Sequence, residues 1–294
     1  MSAADVAAFE AERSRLTGIA YRMLGSMADA EDAVQEGWFR WQRLGADGRR
    51  VIDNPAAWCT TAVSRLALDR LKSAQRQREE YVGPWLPEPV LTSPDPADSA
   101  ELAESLTLGF LTVLERLGPV ERAAFLLVDV FGESYAVVAD VVGRSEEACR
   151  QAVSRARRRV RDERRGAAAE HVRPEDDTSV LVRAFLAACV DGDVDALRRV
   201  LAHDVVIVSD GGALVHAARH PVVGFERVAR FITNLAKRLP ADVMPDLRPV
   251  NGEAGMVIWR DGIATLVMVC EVRSARIQTV RIVLNPDKLH GVSS

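Results

Sequence analysis

Residues 134–165 read SYAVVADVVGRSEEACRQAVSRARRRVRDERR, and this stretch contains two helical patterns joined by a short turn. Ser134 is a residue type that caps helix N-termini, and valines at helical spacing follow it. Gly143 ends the pattern, because glycine easily adopts the left-handed backbone that closes many helices. Ser145 starts the second pattern, with two glutamates where the helix dipole favours acids. A short helix, a glycine turn and a second helix predict a helix-turn-helix.

The second helical pattern separates apolar residues from basic ones. Its apolar positions recur every four residues and form one stripe, at Ala148, Ala152, Ala156 and Val160. The other faces are basic, and residues 145–165 hold eight arginines against four acids. Such a run of charged residues usually forms a solvent-exposed helix face without a binding role. The preference for arginine favours DNA binding instead, because its guanidinium donates two parallel hydrogen bonds to phosphates or guanine edges.

Composition sets broad limits. A chain of 294 residues with 48% apolar and 27% charged residues is typical of a soluble protein with two or three domains. The net charge of −4 indicates that DNA affinity has to come from local asymmetry, and residues 29–36 carry four acids and no base. The longest apolar run, 263–270, is too short for a membrane span, and no signal peptide is evident.

Four cysteines lie far apart in apolar patterns, at Cys59, Cys149, Cys189 and Cys270. They form no pair with metal-ligand spacing, so we expect buried, reduced thiols in a cytoplasmic protein without a metal or another cofactor.

Changes of pattern divide the chain into segments. Residues 1–80 read as helices, one ending at Gly25, one starting near Asp29 and one opening with Asn54-Pro55. Residues 81–100 hold five of the 13 prolines, which predicts an extended linker. This linker also carries Trp85-Leu86-Pro87, which either docks on a folded domain or is an incidental apolar group in a spacer. The helix-turn-helix block covers 101–165.

The last segment, 175–294, has a different pattern. Two helical patterns precede a strand-like run at 204–209, and another helix is predicted near 225–239. Three further strands are predicted near 255–259, 263–272 and 277–284, separated by turn residues. Helices followed by an antiparallel meander predict an α+β domain whose sheet wraps around one long helix.

Several ordered motifs resemble a known family over nearly the whole chain. The first two blocks resemble extracytoplasmic-function (ECF) sigma factors of bacterial RNA polymerase, through Asp29-Ala-Glu-Asp-Ala-Val-Gln-Glu36, Asn54-Pro-Ala-Ala-Trp58, Ala67-Leu-Asp-Arg-Leu71, Glu121-Arg-Ala-Ala-Phe125 and 134–159. The third block resembles the subgroup with a fused SnoaL-like C-terminal domain, through Trp85-Leu-Pro-Glu-Pro89, Asp210-Gly211-Gly212 and Asn285-Pro286-Asp287-Lys288-Leu289. The family's Asp-Gly-Gly-Gly-Lys motif reads Asp210-Gly-Gly-Ala213-Leu214 in this sequence, so the family's lysine is replaced by leucine.

The resemblance implies a fold class and residue roles. The fold would be multidomain, with two all-α sigma domains, the second a helix-turn-helix, and an α+β SnoaL-like cone. Contact with the clamp helices of the core polymerase largest subunit would fall to Asp29, Asp32 and Glu36. Promoter −10 DNA would be contacted by Trp58, Arg65, Arg70, Lys72 and Arg76, with Arg78 also tracking phosphates. Promoter −35 DNA would be contacted by Arg144, Ser145, Arg150, Gln151, Ser154, Arg155, Arg157 and Arg158. Of these, base edges are expected for Arg150, Gln151, Ser154 and Arg155.

The third domain has three possible roles. The resemblance implies regulation in cis, through contacts of Trp85, Leu86, Pro87, Asp210, Gly211, Gly212 and residues 285–289. An unidentified small ligand of its pocket is also compatible with the pattern. Acid–base catalysis would need residues such as His203, His216, His220, Asp210 or Asp242, which show no catalytic constellation, so no enzyme activity is expected. A one-component DNA-binding regulator with a ligand-sensing cone is the alternative, although it leaves the acidic helix unexplained.

Overall fold

The computed structural model describes residues 3–92, 104–165, 175–238, 243 and 245–292, and they form two compact units. The first unit consists of Met1–Glu80, Ser99–Ser105 and Phe110–Gly166. The second consists of Tyr81–Asp98, Leu106–Gly109 and Ala167–Ser294. The predicted fold class is confirmed, because helical blocks are followed by an α+β domain.

The first unit begins with helices α1 (Ala3–Leu24), α2 (Met27–Arg43), α3 (Gly45–Arg50) and α4 (Pro55–Glu79). Ser26 caps α2 by accepting a hydrogen bond from the Asp29 backbone N–H at 3.2 Å. The apolar faces of α1, α2 and α4 pack together, with Leu16, Trp41 and Val63 buried. The predicted helices are therefore all present.

The rest of the first unit is built around α5 (Leu108–Leu114), whose first two residues belong to the second unit, α6 (Pro119–Phe125), a π-helical turn (Leu126–Val130), α7 (Tyr135–Val142) and α8 (Glu146–Arg165). Helices α6, α7 and α8 pack on one another through the predicted apolar stripe. Ala152, Ala156 and Val160 are buried, whereas Ala148 is half-buried. The π-helical turn is not indicated by the sequence pattern.

The second unit contains helices α9 (Glu175–Asp191), α10 (Val194–Val200) and α11 (Phe225–Ala236) and a six-stranded sheet. The strands are β1 (Leu201–Asp210), β2 (Val222–Val223), β3 (Pro245–Val250), β4 (Glu253–Arg260), β5 (Ile263–Arg273) and β6 (Arg276–Val283). The helices cover one sheet face, where Phe185, Leu197, Val228, Met268 and Ile282 share a continuous apolar core.

The sheet order is β2-β1-β6-β5-β4-β3, and its topology corrects one prediction. Strands β4 to β6 form the expected antiparallel meander, and β3 adds a further antiparallel strand to it, but β1 pairs parallel with β6, so the sheet is mixed. Strand β3 was not predicted, because Pro245 and Pro249 weaken its strand pattern. It lies at the sheet edge, where proline is tolerated.

All four cysteines are free and buried, as predicted. Within the described ranges, no helix is both long enough and apolar enough to cross a membrane.

Candidate nucleic-acid interface and linker contacts

The helix-turn-helix is closed by the residues that the sequence indicated. The Ser134 side chain accepts from the Val137 N–H at 3.4 Å, and Ser145 accepts from the Ala148 N–H at 3.3 Å. Between them, Gly143 has φ of 70°, and its N–H donates to the Ala139 carbonyl at 2.8 Å. This left-handed turn lets α8 start in a new direction directly after α7 ends.

Helix α8 presents an exposed polar face opposite its buried stripe. This face carries four of the predicted DNA-contacting residues, all exposed: Arg150, Gln151, Ser154 and Arg158. Near the N-terminal end of α8, Arg150 pairs with Glu146 at 2.7 Å and lies over the Tyr135 ring at 5.0 Å. Arg144 and Arg158 make no ion pair within the described part of the chain, so both guanidinium groups are available to phosphates.

Two acids outside α8 hold the arginines on its flanks. Glu121 accepts from Arg155 at 2.9 Å and from Arg159 at 2.7 Å. On the opposite flank, Arg157 forms a two-point ion pair with Asp129 at 2.5 and 2.8 Å, and this partner raises the pKa of Arg157. Sequence reasoning missed both acids, because their role depends on tertiary packing. They fix the positions of the flanking guanidinium groups relative to the central face.

Helix α4 carries the residues predicted for the −10 element. Arg65 is exposed and donates through Nε to the Asp140 carbonyl of α7 at 2.8 Å. Lys72 pairs with Asp69 at 3.1 Å, and half-buried Trp58 packs on Trp41 with ring centroids 5.2 Å apart. The side chain of Arg76 lies outside the described residues.

Arg78 is placed apart from this exposed set. Its guanidinium is largely buried and pairs with Glu115, and burial lowers its pKa. In this structure Arg78 therefore contributes to packing between helices of the first unit, and not to a phosphate-tracking row.

The acidic face of α2 holds Asp29, Asp32 and Glu36. The first two are exposed, and Glu36 is half-buried and lies near Arg40 at 3.3 Å and Arg43 at 3.7 Å. Arg70 of α4 borders this face, because it donates to the Asp29 carbonyl at 2.9 Å and lies 3.9 Å from the Asp32 carboxylate. Arg70 thus separates the acids of α2 from the basic row of α4.

In the second unit, Asp210 is the centre of a buried polar cluster at the end of β1. Its carboxylate accepts from the Tyr81 hydroxyl at 2.6 Å, the Leu86 N–H at 2.8 Å and the Gly212 N–H at 3.1 Å. Its backbone carbonyl accepts from the N–H groups of Leu284 and Asn285 at 2.7 and 3.0 Å. One residue therefore connects the proline-rich segment, the glycine loop and the chain after β6.

Lys288 supplies the counter-charge for this cluster. Its ammonium lies 2.7 Å from Asp210, donates to the Leu86 carbonyl at 2.6 Å and sits 4.0 Å from the centre of the Trp85 ring. The Asn285 amide donates to the Tyr81 hydroxyl at 2.8 Å, and its oxygen accepts from the Asp287 N–H. Burial, followed by the hydrogen bond to Asp210, raises the pKa of Tyr81.

In the second unit, the structure brings together six of the residues predicted to be regulatory: Trp85, Leu86, Asp210, Gly212, Asn285 and Lys288. Leu86, Pro87 and Pro89 are buried, so the segment docks on a folded domain. Gly212 has φ of 59° and lies against the Asn285 side chain, where an added Cβ would be only 2.7 Å away. Leu214 occupies the position of the family's lysine, and its side chain is exposed. The charge of Asp210 is neutralised by Lys288. Tyr81 was missed, although an aromatic residue next to the proline-rich run was a usable signal.

The docked segment continues as a short strand-like extension beside β3. The Asn251 N–H donates to the Val90 carbonyl at 2.8 Å, and the Val90 N–H donates to the Asn251 side chain at 2.9 Å. Leu91 forms an antiparallel bridge with Val250. Residues 81–92 are therefore held at two places on the second unit, at the end of β1 and beside the edge strand β3.

A second buried charge cluster lies on the sheet face away from α9 and α11. Arg281 pairs with Glu271 at 2.8 Å, and Glu253 accepts from the Leu108 N–H at 3.0 Å. Burial raises the pKa of Glu253 to about 7, despite nearby Arg281. Burial opposes ionisation of Glu271 as well, but Arg281 and Arg273 outweigh it and lower the pKa of Glu271.

The histidines do not assemble a metal site within the described residues. No group of three or more metal-ligand side chains occurs there. Asp210 is saturated by four donors, and Asp242 lies outside the described residues.

Two family models match the helical blocks. Sigma-70 region 2 matches residues 8–77, and Sigma-70, region 4 matches residues 108–160. The first match contains α2 and α4, and the second contains the helix-turn-helix.

Curated relatives match the chain over most of its length. The ECF RNA polymerase sigma factor SigJ of Mycobacterium tuberculosis (strain ATCC 25618 / H37Rv) is 38% identical, over 98% of this chain and 94% of that protein. A probable ECF RNA polymerase sigma factor, SigI of the same organism, is 33% identical, over 96% of this chain and 94% of that protein. The crystal structure of M. tuberculosis SigJ superposes with a TM-score of 0.76 and 37% identity, covering 97% of this chain and 98% of SigJ.

Proposed function

Because the chain belongs to the ECF sigma factors of RNA polymerase, we propose that its α2 acids bind the core polymerase, that α4 and α8 bind the promoter, and that the second unit regulates these steps in cis. The predicted resemblance to a sigma factor with a C-terminal SnoaL-like domain is confirmed over the whole chain. The chain functions as a sigma factor in transcription initiation, so the alternative of a one-component regulator is set aside. We also propose that the chain acts in the cytoplasm, where RNA polymerase meets promoter DNA.

Charge and exposure support the polymerase-binding role of α2. Asp29, Asp32 and Glu36 lie three and four residues apart, so they occupy one side of the helix. Their carboxylates suit a basic partner surface such as the clamp helices of the polymerase largest subunit. Glu31 is also exposed, but it lies about 100° around the helix from Asp32 and provides a matched control.

The two promoter elements are assigned to different helices. Bases of the opened −10 element would be captured near Trp58, while Arg65, Arg70, Lys72 and Arg76 would track phosphates. The N-terminal half of α8 would enter the −35 major groove, so Arg150, Gln151, Ser154 and Arg155 would approach base edges. Arg144, Ser145, Arg157 and Arg158 would contact phosphates around this groove.

The contact between α4 and α7 supports a closed state of the first unit. Elements centred at −10 and −35 are 25 positions apart, which corresponds to about 85 Å of B-DNA at about 3.4 Å per base pair. Even laid end to end, α4, α7 and α8 would measure about 80 Å at about 1.5 Å per residue. These helices pack on one another in the structure, so they span less than this, and we expect promoter binding to break the Arg65–Asp140 hydrogen bond. This hydrogen bond is the observation that supports a closed state, whereas the match to SigJ over 98% of the chain carries the proposal as a whole.

The buried cluster around Asp210 supports regulation in cis. The segment 81–92 lies between the two helical blocks in the sequence, yet its side chains are held by the second unit. Residues that are docked on the second unit cannot also serve as a free linker. Fewer residues of the proline-rich run therefore remain to join the two helical blocks in an extended arrangement. The resemblance implies that residues 285–289 modulate activity, and Lys288 and Asn285 are the members of this segment that touch the docked segment.

Run-off transcription with purified core polymerase tests the proposal. We expect Asp32→Ala combined with Glu36→Ala to weaken core binding about tenfold or more, and Glu31→Ala to leave it unchanged. Lys288→Met should change the amount of transcript. It should not change the affinity of the protein for core polymerase, provided that this affinity is measured under conditions in which the second unit is folded. Equal loss from the acidic-face and Glu31 variants would contradict the assignment of α2, and an unchanged transcript from Lys288→Met would contradict cis regulation.

A further inference from the structure

We propose that the turn between β3 and β4 is a clasp, which holds two separate segments of the chain that joins the helical blocks and restrains initiation until it opens. The turn is Asn251-Gly252, and the two segments are residues 90–92 and 106–108. All of these residues belong to the second unit. The restraint on initiation rests on the regulation in cis proposed above, whereas the holding of the two segments does not.

The clasp pairs with its first segment as with a short additional strand. Val90 donates its N–H to the Asn251 side-chain oxygen at 2.9 Å and accepts from the Asn251 N–H at 2.8 Å. Thr92 donates its N–H to the Pro249 carbonyl at 3.1 Å, and its hydroxyl accepts from the Gly252 N–H at 3.0 Å. Four hydrogen bonds therefore attach this segment to the turn and to the end of β3.

The second segment is held by the same asparagine and by its neighbour at the start of β4. The Asn251 side-chain nitrogen donates to the Leu106 carbonyl at 3.0 Å. The Glu253 carboxylate accepts from the Leu108 N–H at 3.0 Å. Because the amide of Asn251 uses its oxygen for one segment and its nitrogen for the other, a single side chain ties both segments to one turn.

A second hairpin of the same sheet shows what the turn itself requires. Asn251-Gly252 has φ of 53° and 72°, and Asp261-Gly262, between β4 and β5, has φ of 52° and 76°. Both are residue pairs that tight hairpin turns favour. Asp261 is exposed, whereas Asn251 is completely buried. Turn geometry therefore explains a left-handed residue at both positions, but the burial of Asn251 comes from the segments that it holds.

The clasp shortens the usable connection between the helical blocks. Residues 92 and 106 are held at the same turn, so the 13 residues between them add little to the distance that the chain can span. If the second segment were released, residues 93–108 could extend by up to about 3.3 Å each, or about 50 Å in all. Opening of the clasp would therefore provide chain length for the blocks to separate on a promoter.

Hydrogen–deuterium exchange of the full-length protein tests the clasp. Asn251→Gly keeps the left-handed turn, which glycine adopts freely, but removes both side-chain hydrogen bonds. Exchange in peptides that contain the 90–92 and 106–108 amides should become about tenfold faster or more, while β5 keeps its protection. Asp261→Gly makes a matched change at the same backbone conformation and should leave the exchange of both segments unchanged. Equal exchange in the two variants would overturn the clasp.

A second variant separates the two segments. Asn251→Asp retains an oxygen for the Val90 N–H but loses the donor to the Leu106 carbonyl. Exchange should therefore rise more in the 106–108 peptide than in the 90–92 peptide. The opposite order would show that Asn251 does not hold the second segment.

Run-off transcription with purified core polymerase tests the restraint. Asn251→Gly should raise the amount of transcript severalfold, and Asp261→Gly should match the unsubstituted protein. Faster exchange with an unchanged or smaller amount of transcript would refute the claim that the clasp restrains initiation. If the unsubstituted protein and Asp261→Gly both fail to initiate, the proposed function itself is contradicted, and the exchange measurement still decides whether Asn251 holds both segments.

Discussion

Replacing Lys288 by methionine should destabilise the second unit strongly, because it removes the counter-charge of a buried carboxylate. The side chains of Asp210 and Lys288 are 0% and 8% exposed. Methionine keeps the linear shape of lysine without its ammonium. Three uncharged donors would remain on Asp210, from Tyr81, Leu86 and Gly212.

The expected magnitude follows from these contacts. Breaking a buried ion pair by removing one partner costs about 3–5 kcal/mol. The variant also loses the hydrogen bond to the Leu86 carbonyl and the contact with the Trp85 ring, so we expect about 4 kcal/mol. Asp210→Asn should cost about 3 kcal/mol. The double variant should lose much less than the sum, with a coupling energy of about 3 kcal/mol, because neither unpaired charge remains.

Urea unfolding followed by ¹⁹F NMR of fluorotryptophan provides the assay. Trp85 and Trp259 report on the second unit, so its free energy of unfolding can be measured separately from that of the helical unit. The control cycle uses Arg198→Met and Glu226→Gln, an exposed pair 2.9 Å apart in the same unit. Its coupling energy should stay below about 1 kcal/mol.

Additivity would refute this reasoning. If the free-energy changes of Asp210→Asn and Lys288→Met sum to that of the double variant within about 0.5 kcal/mol, the two side chains do not form a coupled pair. A loss below about 1 kcal/mol for Lys288→Met alone would likewise show that Asp210 does not depend on its ammonium.

Three further predictions concern helix α8, the turn that precedes it and Glu253 of β4. Arg158→Ala should weaken DNA binding evenly across sequences and reduce the slope of log affinity against log salt concentration by about one, whereas Gln151→Ala should alter the base preference at the −35 element. Fluorescence anisotropy measures both effects. An equal loss of sequence discrimination in the two variants would contradict the assignment. Gly143→Ala should destabilise the helical unit by about 1–2 kcal/mol, since its φ is 70°, while Gly118→Ala at φ −65° should be nearly neutral in thermal unfolding. Burial raises the pKa of Glu253 from 4.5 to about 7, so the native state binds the extra proton and the second unit should lose roughly 3 kcal/mol as pH rises from about 4.5 to 7. Glu253→Gln should abolish this slope in urea titrations, and a slope that persists would assign it to another group.

Local patterns predicted the helical elements well, because caps and turns act over a few residues. Ser134, Gly143 and Ser145 adopt the backbone roles that their residue types favour. The parallel pairing of β1 with β6 was not predictable in this way, since it joins residues about 70 positions apart and leaves no periodic signal. Strand β3 was hidden by its prolines, which only an edge position makes acceptable.

The candidate sites show the same division between local and tertiary information. The exposed face of α8 follows from helical periodicity, but the acids that hold its flanks, Glu121 and Asp129, come from other elements. The motifs at 85–89, 210–212 and 285–289 were predicted to act together. Their shared centre was not predicted, because the pairing of Asp210 with Lys288 depends on the end of β1 lying beside the chain after β6.

The docking of residues 81–92 also determines how this protein can be recombined with its relatives. If C-terminal domains were exchanged at the boundary near residue 166, the new domain would come from a relative. Its residues around the position of Asp210 would then have to bind Tyr81, Trp85 and Leu86 of this protein. The transferable module is discontinuous in the sequence and comprises the proline-rich segment together with residues 175–292. Chimaeras that move both parts together should keep the complementary surfaces that evolved as one, whereas chimaeras that move only the second part should express poorly.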